Sequence, residues 1–172
     1  MSDNSNDFKI TQKDNFYYLS GSLNELSALK DVKLKGDPIK LNLEGINFIN
    51  SLGTREWVKF CTNHQNAHLE FHRVSRIMMN AIAMMPLLIP AGGKATDLIK
   101  SFALPYCCLN CSHITIKFVE LTSLTFEDES VYSKLTMCQL CGNPANRAEE
   151  GSEYIALLSD EVNVDNEEEE AS

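Results

Sequence analysis

Along the first hundred residues the apolar positions change period several times. Phe8 and Ile10, then Phe16, Tyr17, Tyr18 and Leu19, flank the polar turn Gln12-Lys13-Asp14-Asn15, a pattern that predicts a β-hairpin over 8–20. Leu23, Leu26 and Leu29 recur every three residues and predict a short helix over Ser22 to Leu29. Ile39, Leu41 and Leu43 alternate with Lys40 and Asn42, predicting a strand, and Ile46, Phe48 and Ile49 carry an apolar loop into Asn50-Ser51, which has helix-starting chemistry. From Leu52 to His64, Trp57, Phe60, Cys61 and His64 fall on one side of a helix, with Arg55, Glu56, Lys59 and Asn63 outside.

A further strand is predicted over Ala67 to Val74, where Leu69 and Phe71 face one way and His68, Glu70 and His72 the other. Ser75 caps a second helix that Pro86 ends near Met85. Pro90-Ala91-Gly92-Gly93-Lys94 reads as a linker. Asp97 to Leu104 fits a helix through Leu98, Ile99 and Phe102, or a strand through Leu98, Lys100, Phe102 and Leu104. Beyond Cys111 the pattern is β: Ile114, Ile116 and Phe118 alternate, and Tyr154 to Leu158 predict a last short strand. Strands interleaved with amphipathic helices predict a mixed α/β (α+β) fold.

Charge sharpens the division of the chain. The net charge is −9, yet seven acids and no base fall in 159–172, leaving 17 acids against 15 bases in the preceding residues. Clustered like charges repel one another and bury nothing, so 159–172 is expected to be a disordered acidic tail. The near-neutral remainder lacks the positive footprint of a nucleic-acid binder. The amino end has no basic start with an apolar run behind it, and the longest apolar stretch, Ala81 to Ile89, is interrupted by Pro86. A cytoplasmic protein with no membrane or nucleic-acid partner is therefore expected.

The cysteines carry the clearest chemistry. Cys108-Leu109-Asn110-Cys111 and Cys138-Gln139-Leu140-Cys141-Gly142 are separated by 26 residues. A two-residue gap lets a tight turn aim two thiolates at one ion, and two such turns complete the tetrahedral soft-ligand set that Zn2+ prefers, with no position left for water. Gly142 suits the positive φ of such a turn. A structural zinc ribbon on Cys108, Cys111, Cys138 and Cys141 is the expectation, with Cys107 able to replace Cys108 at a wider gap. A redox dithiol would use a single CxxC at a helix start. His113 is a surplus ligand, Cys61 a small core residue, and His68 and His72 stand roughly 13 Å apart along a strand, too far to share an ion.

The run Pro38 to Arg55, with its buried strand leading into Asn50-Ser51-Leu52-Gly53-Thr54, resembles the central signature of STAS domains, the fold of anti-sigma factor antagonists. By position Asn50 matches the family's aspartate, Ser51 its phospho-acceptor and Gly53 its glycine, while Leu52 replaces a small hydroxyl residue. Leu104-Pro105-Tyr106-Cys107-Cys108-Leu109-Asn110-Cys111 is similar to the junction of STAS-like proteins that carry a carboxyl-terminal zinc ribbon, which favours Cys108 as the ligand and a strand for Asp97 to Leu104. The resemblance implies a STAS-like domain over 1–104, a zinc-ribbon module over 105–158 and the tail beyond. It also implies a partner-facing loop of Asn50, Ser51, Leu52, Gly53, Thr54 and Arg55, and a protein partner of the anti-sigma, serine-kinase-type ATPase class. Nothing in the sequence assembles a nucleophile, base and orienter, so a non-enzymatic regulatory module is expected, switched by phosphorylation at Ser51; the competing reading of Ser51 is as the cap of the helix beginning near Leu52. The alternative is a scaffold subunit of a signalling complex without phosphorylation.

Overall fold

The computed structural model describes residues 7–90, 92–123, 136–149 and 151–159. Most of the expected acidic tail lies outside them. Strands β1 (Lys9–Lys13) and β2 (Phe16–Leu23) form the predicted hairpin about Asp14, whose φ of 53° makes the turn. Strand β3 (Ile39–Ile49) pairs in parallel with β2, and β4 (Leu69–His72) in parallel with β3, giving the sheet order β1-β2-β3-β4. Helix α1 (Ser51–Asn63) connects β3 to β4, and α2 (Arg76–Met84) with the short α3 (Ala95–Leu98) leads to β5 (Ser101–Cys108). The mixed α/β expectation holds.

The helices bury one face of this sheet. Leu41, Leu43, Trp57, Phe60, Phe71, Met78, Met79 and Ile82 are fully enclosed. Trp57 packs edge-on against Phe71 at 5.6 Å, and its indole N–H donates to the Leu88 carbonyl at 2.9 Å, so the one polar atom of the largest core side chain is satisfied. Ser75 caps α2 as predicted, accepting from Met78 N. The opposite face is polar: His72 Nε2 lies 3.0 Å from Glu70 Oε2, and Lys40 reaches the same carboxylate at 4.0 Å.

The second sheet has the order β6-β5-β8-β7, all antiparallel, built from β5, β6 (Ile114–Glu120), β7 (Thr136–Met137) and β8 (Pro144–Arg147). The two sheets meet at β5. Residues 99–103, which lead into and begin it, continue the parallel pairing beyond β4, with Lys100 N donating to Phe71 O at 2.8 Å and Ala103 N to Val74 O at 2.8 Å. The expected boundary at 104/105 thus falls inside one strand.

Several expectations are corrected. Ser22 to Leu29 is not a helix: Ser22 and Leu23 finish β2, and only Leu29–Asp31 make a 3-10 turn. Side chains have taken over the backbone there. Ser27 Oγ accepts from Asn24 N and donates to Ser22 O, while Asn24 Oδ1 accepts from Leu26 N, the local competition that turns a Ser/Asn-rich segment away from helix. Leu26, counted as apolar face, is 83% exposed. Ile46–Ile49 is strand rather than loop. Asp97 to Leu104 divides, its start in α3 and its end in β5. Tyr154 to Leu158 is not a strand but part of a helix, α4 (151–159), on which Tyr154, Ile155 and Leu158 are buried at helical spacing. Tyr154 packs against Phe102 and its hydroxyl donates to Asn80 Oδ1 on α2, so α4 closes the same core that α1 and α2 build.

Candidate metal centre

Each CxxC pair sits in a tight turn between antiparallel strands, and the two turns are built alike. In the first, between β5 and β6, Ser112 N donates to Cys108 O at 3.0 Å and Cys108 N to His113 O at 3.0 Å. In the second, between β7 and β8, Gly142 N donates to Cys138 O at 3.0 Å and Cys138 N to Asn143 O at 2.8 Å. Backbone N–H groups inside each turn point at sulfur: Asn110 N at Cys108 Sγ and Leu140 N at Cys138 Sγ, both 3.4 Å. Positive φ falls at the equivalent positions, 55° at Ser112 and 70° at Gly142. Glycine meets that requirement without strain in the second turn only.

These turns bring Cys108, Cys111, Cys138 and Cys141 together, with all four Sγ atoms within 4.8 Å of one another. Cys108 Sγ lies 3.5 Å from Cys141 Sγ, and Cys111 Sγ 3.6 Å from Cys138 Sγ. A tetrahedron of sulfurs about an ion at ~2.3 Å has edges of ~3.8 Å, so the cluster fits a four-coordinate ion with little movement. Cys108 and Cys138 are buried, Cys111 and Cys141 exposed. The amide of Asn143, by side chain and then backbone, draws the Cys141 thiol down to about 6. Against the opposing N–H of His113, desolvation and the hydrogen bonds shared with Cys141, Cys108 and Cys138 hold Cys111 up at about 12. Four thiolates at this spacing repel, and a cation at their centre removes the repulsion. The four cysteines could therefore bind a metal ion.

The neighbouring candidates separate cleanly. Cys107 is half-buried and directs its sulfur toward the Cys108 and Ser112 carbonyls at 3.9 Å, outside the cluster. His113 is likewise not part of it. Cys61 lies in the core of α1, where burial pushes its thiol up to about 12. His72 is engaged with Glu70, and His68 stands exposed at the start of β4.

The Asn50 to Arg55 segment is arranged differently from the expectation for its serine. Asn50, not Ser51, is the cap of α1: its Oδ1 accepts from Gly53 N at 2.8 Å, and its carbonyl accepts from Thr54 N at 2.8 Å. Asparagine caps as well as serine does, and the helix therefore starts one residue earlier. Ser51 is the first helical residue, and it is exposed together with Leu52 and Arg55, while Gly53 and Thr54 are buried. Gly53 has a strict steric reason: a Cβ there would come 2.0 Å from the Leu23 carbonyl oxygen, because α1 starts hard against the end of β2. Asn50 Nδ2 also donates to Glu25 Oε2 at 3.3 Å, which sets a carboxylate beside this helix start.

Three contributors had no signal in the residue pattern: the link from Asn50 to Glu25, the Asn143 donor on Cys141, and Arg73. Arg73 holds Glu44 by two hydrogen bonds of 2.6 and 2.9 Å and lies 3.9 Å over the Phe118 ring, tying the first sheet to β6. Among the described residues no helix is long and apolar enough to cross a membrane.

The class defined by fold and site is a mixed α/β protein with a four-cysteine cluster able to hold a metal ion. Comparison of the chain with family models, with curated proteins and with solved structures gives no match.

Proposed function

We propose that this chain is a non-enzymatic, cytoplasmic regulatory protein that works by binding another protein, in the manner of an anti-sigma factor antagonist, and that a structural Zn2+ on Cys108, Cys111, Cys138 and Cys141 holds its ribbon. The observation that carries the regulatory reading is the exposed Ser51 at the first position of α1, beside exposed Leu52 and Arg55. A hydroxyl there is accessible to a kinase and is free of the capping role, which Asn50 fills. Phosphorylation would add about −1.5 to −2 charges at a helix start, where the dipole favours them and an acidic partner surface is repelled. The hairpin, the parallel β2-β3-β4 order and the steric need for Gly53 support the STAS-like reading of this segment. The all-sulfur, closed ligand set supports zinc over harder ions.

One observation favours the alternative of an unphosphorylated scaffold subunit. Glu25 is hydrogen-bonded to the Asn50 side chain, so a phosphate on Ser51 would form beside a carboxylate. Pull-downs with wild type, Ser51→Ala and Ser51→Asp decide between them. Retention of a serine-kinase-type ATPase by wild type and Ser51→Ala, with at least about tenfold weaker binding by Ser51→Asp, supports the switch. Equal binding by all three forms removes it and leaves the scaffold. Metal analysis of the purified chain tests the zinc: one ion per chain is expected, and four freely reactive thiols with no metal would falsify it.

A further inference from the structure

The ribbon ends in a tip of distinctive composition. Neither 107–116 nor 136–146 contains a Lys, Arg, Asp or Glu. Apolar side chains stand out from this tip instead, with Leu109 and Leu140 each 70% exposed and Met137 58% exposed. They stand on adjoining segments of the tip. Leu109 N donates to Pro144 O, Pro144 pairs with Met137, and Leu140 rides on the turn whose sulfurs touch those of the first turn. Large apolar side chains gathered on a surface mark contact with something other than water.

Charge identifies the occupant. On the metal reading proposed above, on which this inference rests, a divalent ion under four thiolates leaves the centre doubly negative. Cys111 and Cys141 present that charge outward. The groups that reach them are uncharged donors, the backbone N–H of His113 at Cys111 and the Asn143 amide at Cys141, and no ammonium or guanidinium lies in either turn. An exposed negative centre beside Leu109 and Leu140, on the same turns, is complementary to a cation carried between apolar side chains. A second copy meeting this tip face to face would bring the same negative centre against it. An anionic lipid surface is disfavoured by the chain's net charge of −9.

We propose that the tip of the metal ribbon docks a basic segment of a protein partner, with a Lys or Arg against Cys111 and Cys141 and flanking apolar residues over Leu109, Leu140 and Met137. The test selects random short peptides displayed on phage against the full-length, metal-loaded chain. The enriched peptides are then titrated against wild type and the Leu109→Ser/Leu140→Ser double variant, with metal content measured on each. Both leucines are exposed, so the double variant keeps its fold and its metal. Enriched sequences should combine Lys or Arg with Leu, Ile or Phe, and bind the double variant at least about tenfold more weakly. Acidic or uncharged winners, or peptides that bind the metal-loaded double variant as tightly as wild type, overturn the proposal. So does a wild-type dimer, seen by sedimentation, that the double variant abolishes, since a second copy would then be the occupant. A chain that purifies without metal overturns the metal reading and this proposal with it. A metal-loaded chain that selects no basic peptide overturns this proposal alone.

Discussion

Between the first sheet and its helices Trp57, Phe60 and Phe71 are wholly enclosed, whereas in the ribbon Leu109 and Leu140 stand 70% exposed. The first region holds its strands by apolar burial, with Leu41, Leu43, Met78, Met79 and Ile82 sealed between sheet and helices. The ribbon has few buried apolar side chains of its own, and its two turns converge on sulfur. An ion bound by the four cysteines would offset there the chain entropy that burial offsets elsewhere. The two regions are nevertheless not separable pieces. Strand β5 lies in the second sheet but bridges Val74, just past β4, through Phe102, and Phe102, Leu104, Tyr106, Ala145 and Tyr154 join Met78 and Ile82 in one continuous core.

Removing a ligand tests that difference most severely. Cys138→Ser, or chelation of the wild type, should abolish metal binding and unfold the ribbon strands β7 and β8, read as lost hydrogen-exchange protection there while β3 and α1 stay protected. Because α4 follows β8 and Tyr154 bonds Asn80, protection of α2 should fall as well. Unchanged exchange in β7 and β8 without metal would show that the ribbon stands on packing alone.

A substitution at the other pole of the comparison acts through sterics. Gly53→Ala would place a methyl 2.0 Å from the Leu23 carbonyl, so α1 must move off β2. A loss of about 3 kcal/mol is expected in chemical denaturation, with metal content intact. A neutral result would mean that the close approach of helix and strand is not needed.

The helix start separates two adjacent residues on a finer scale. Asn50→Ala should cost about 1 kcal/mol, since it removes the cap on Gly53 N, while Ser51→Ala should be close to neutral in stability. The reverse order in thermal unfolding would return the cap to Ser51.

The smallest effect lies where the regions touch. Hydrogen bonds from Arg73 hold the Glu44 carboxyl below its usual 4.5. A carboxylate favoured in the folded state contributes its full stability above that value and loses it as pH falls through the lower folded value. Both side chains are nearly half exposed, so the contribution is a few tenths of a kcal/mol and is screened by salt. Wild type and Glu44→Gln should therefore converge in stability as pH falls below 4.5 and the carboxyl protonates, by urea titration. A gap that persists at low pH would assign the difference to packing around Phe118 instead of charge.

The hairpin, β3, α1, α2 and the pairing of the four cysteines were legible in the residues alone. Each carries a signal complete within a short window: period-two alternation at Ile39, Leu41 and Leu43, helical spacing at Trp57, Phe60 and Cys61, a Ser75 cap with a Pro86 stop, and two matched CxxC turns. Only the tertiary structure decided the others. Ser22 to Leu29 has helical leucine spacing, but bonds between Ser27, Asn24 and Ser22 make a turn of it. Tyr154 to Leu158 is too short a run for its period to choose between strand and helix, and contact with Phe102 and Asn80 settled it. The same holds for the cap at Asn50 over Ser51. The two neighbours offered equivalent capping chemistry, and it is Asn50 whose Oδ1 accepts from Gly53 N while its Nδ2 donates to the distant Glu25.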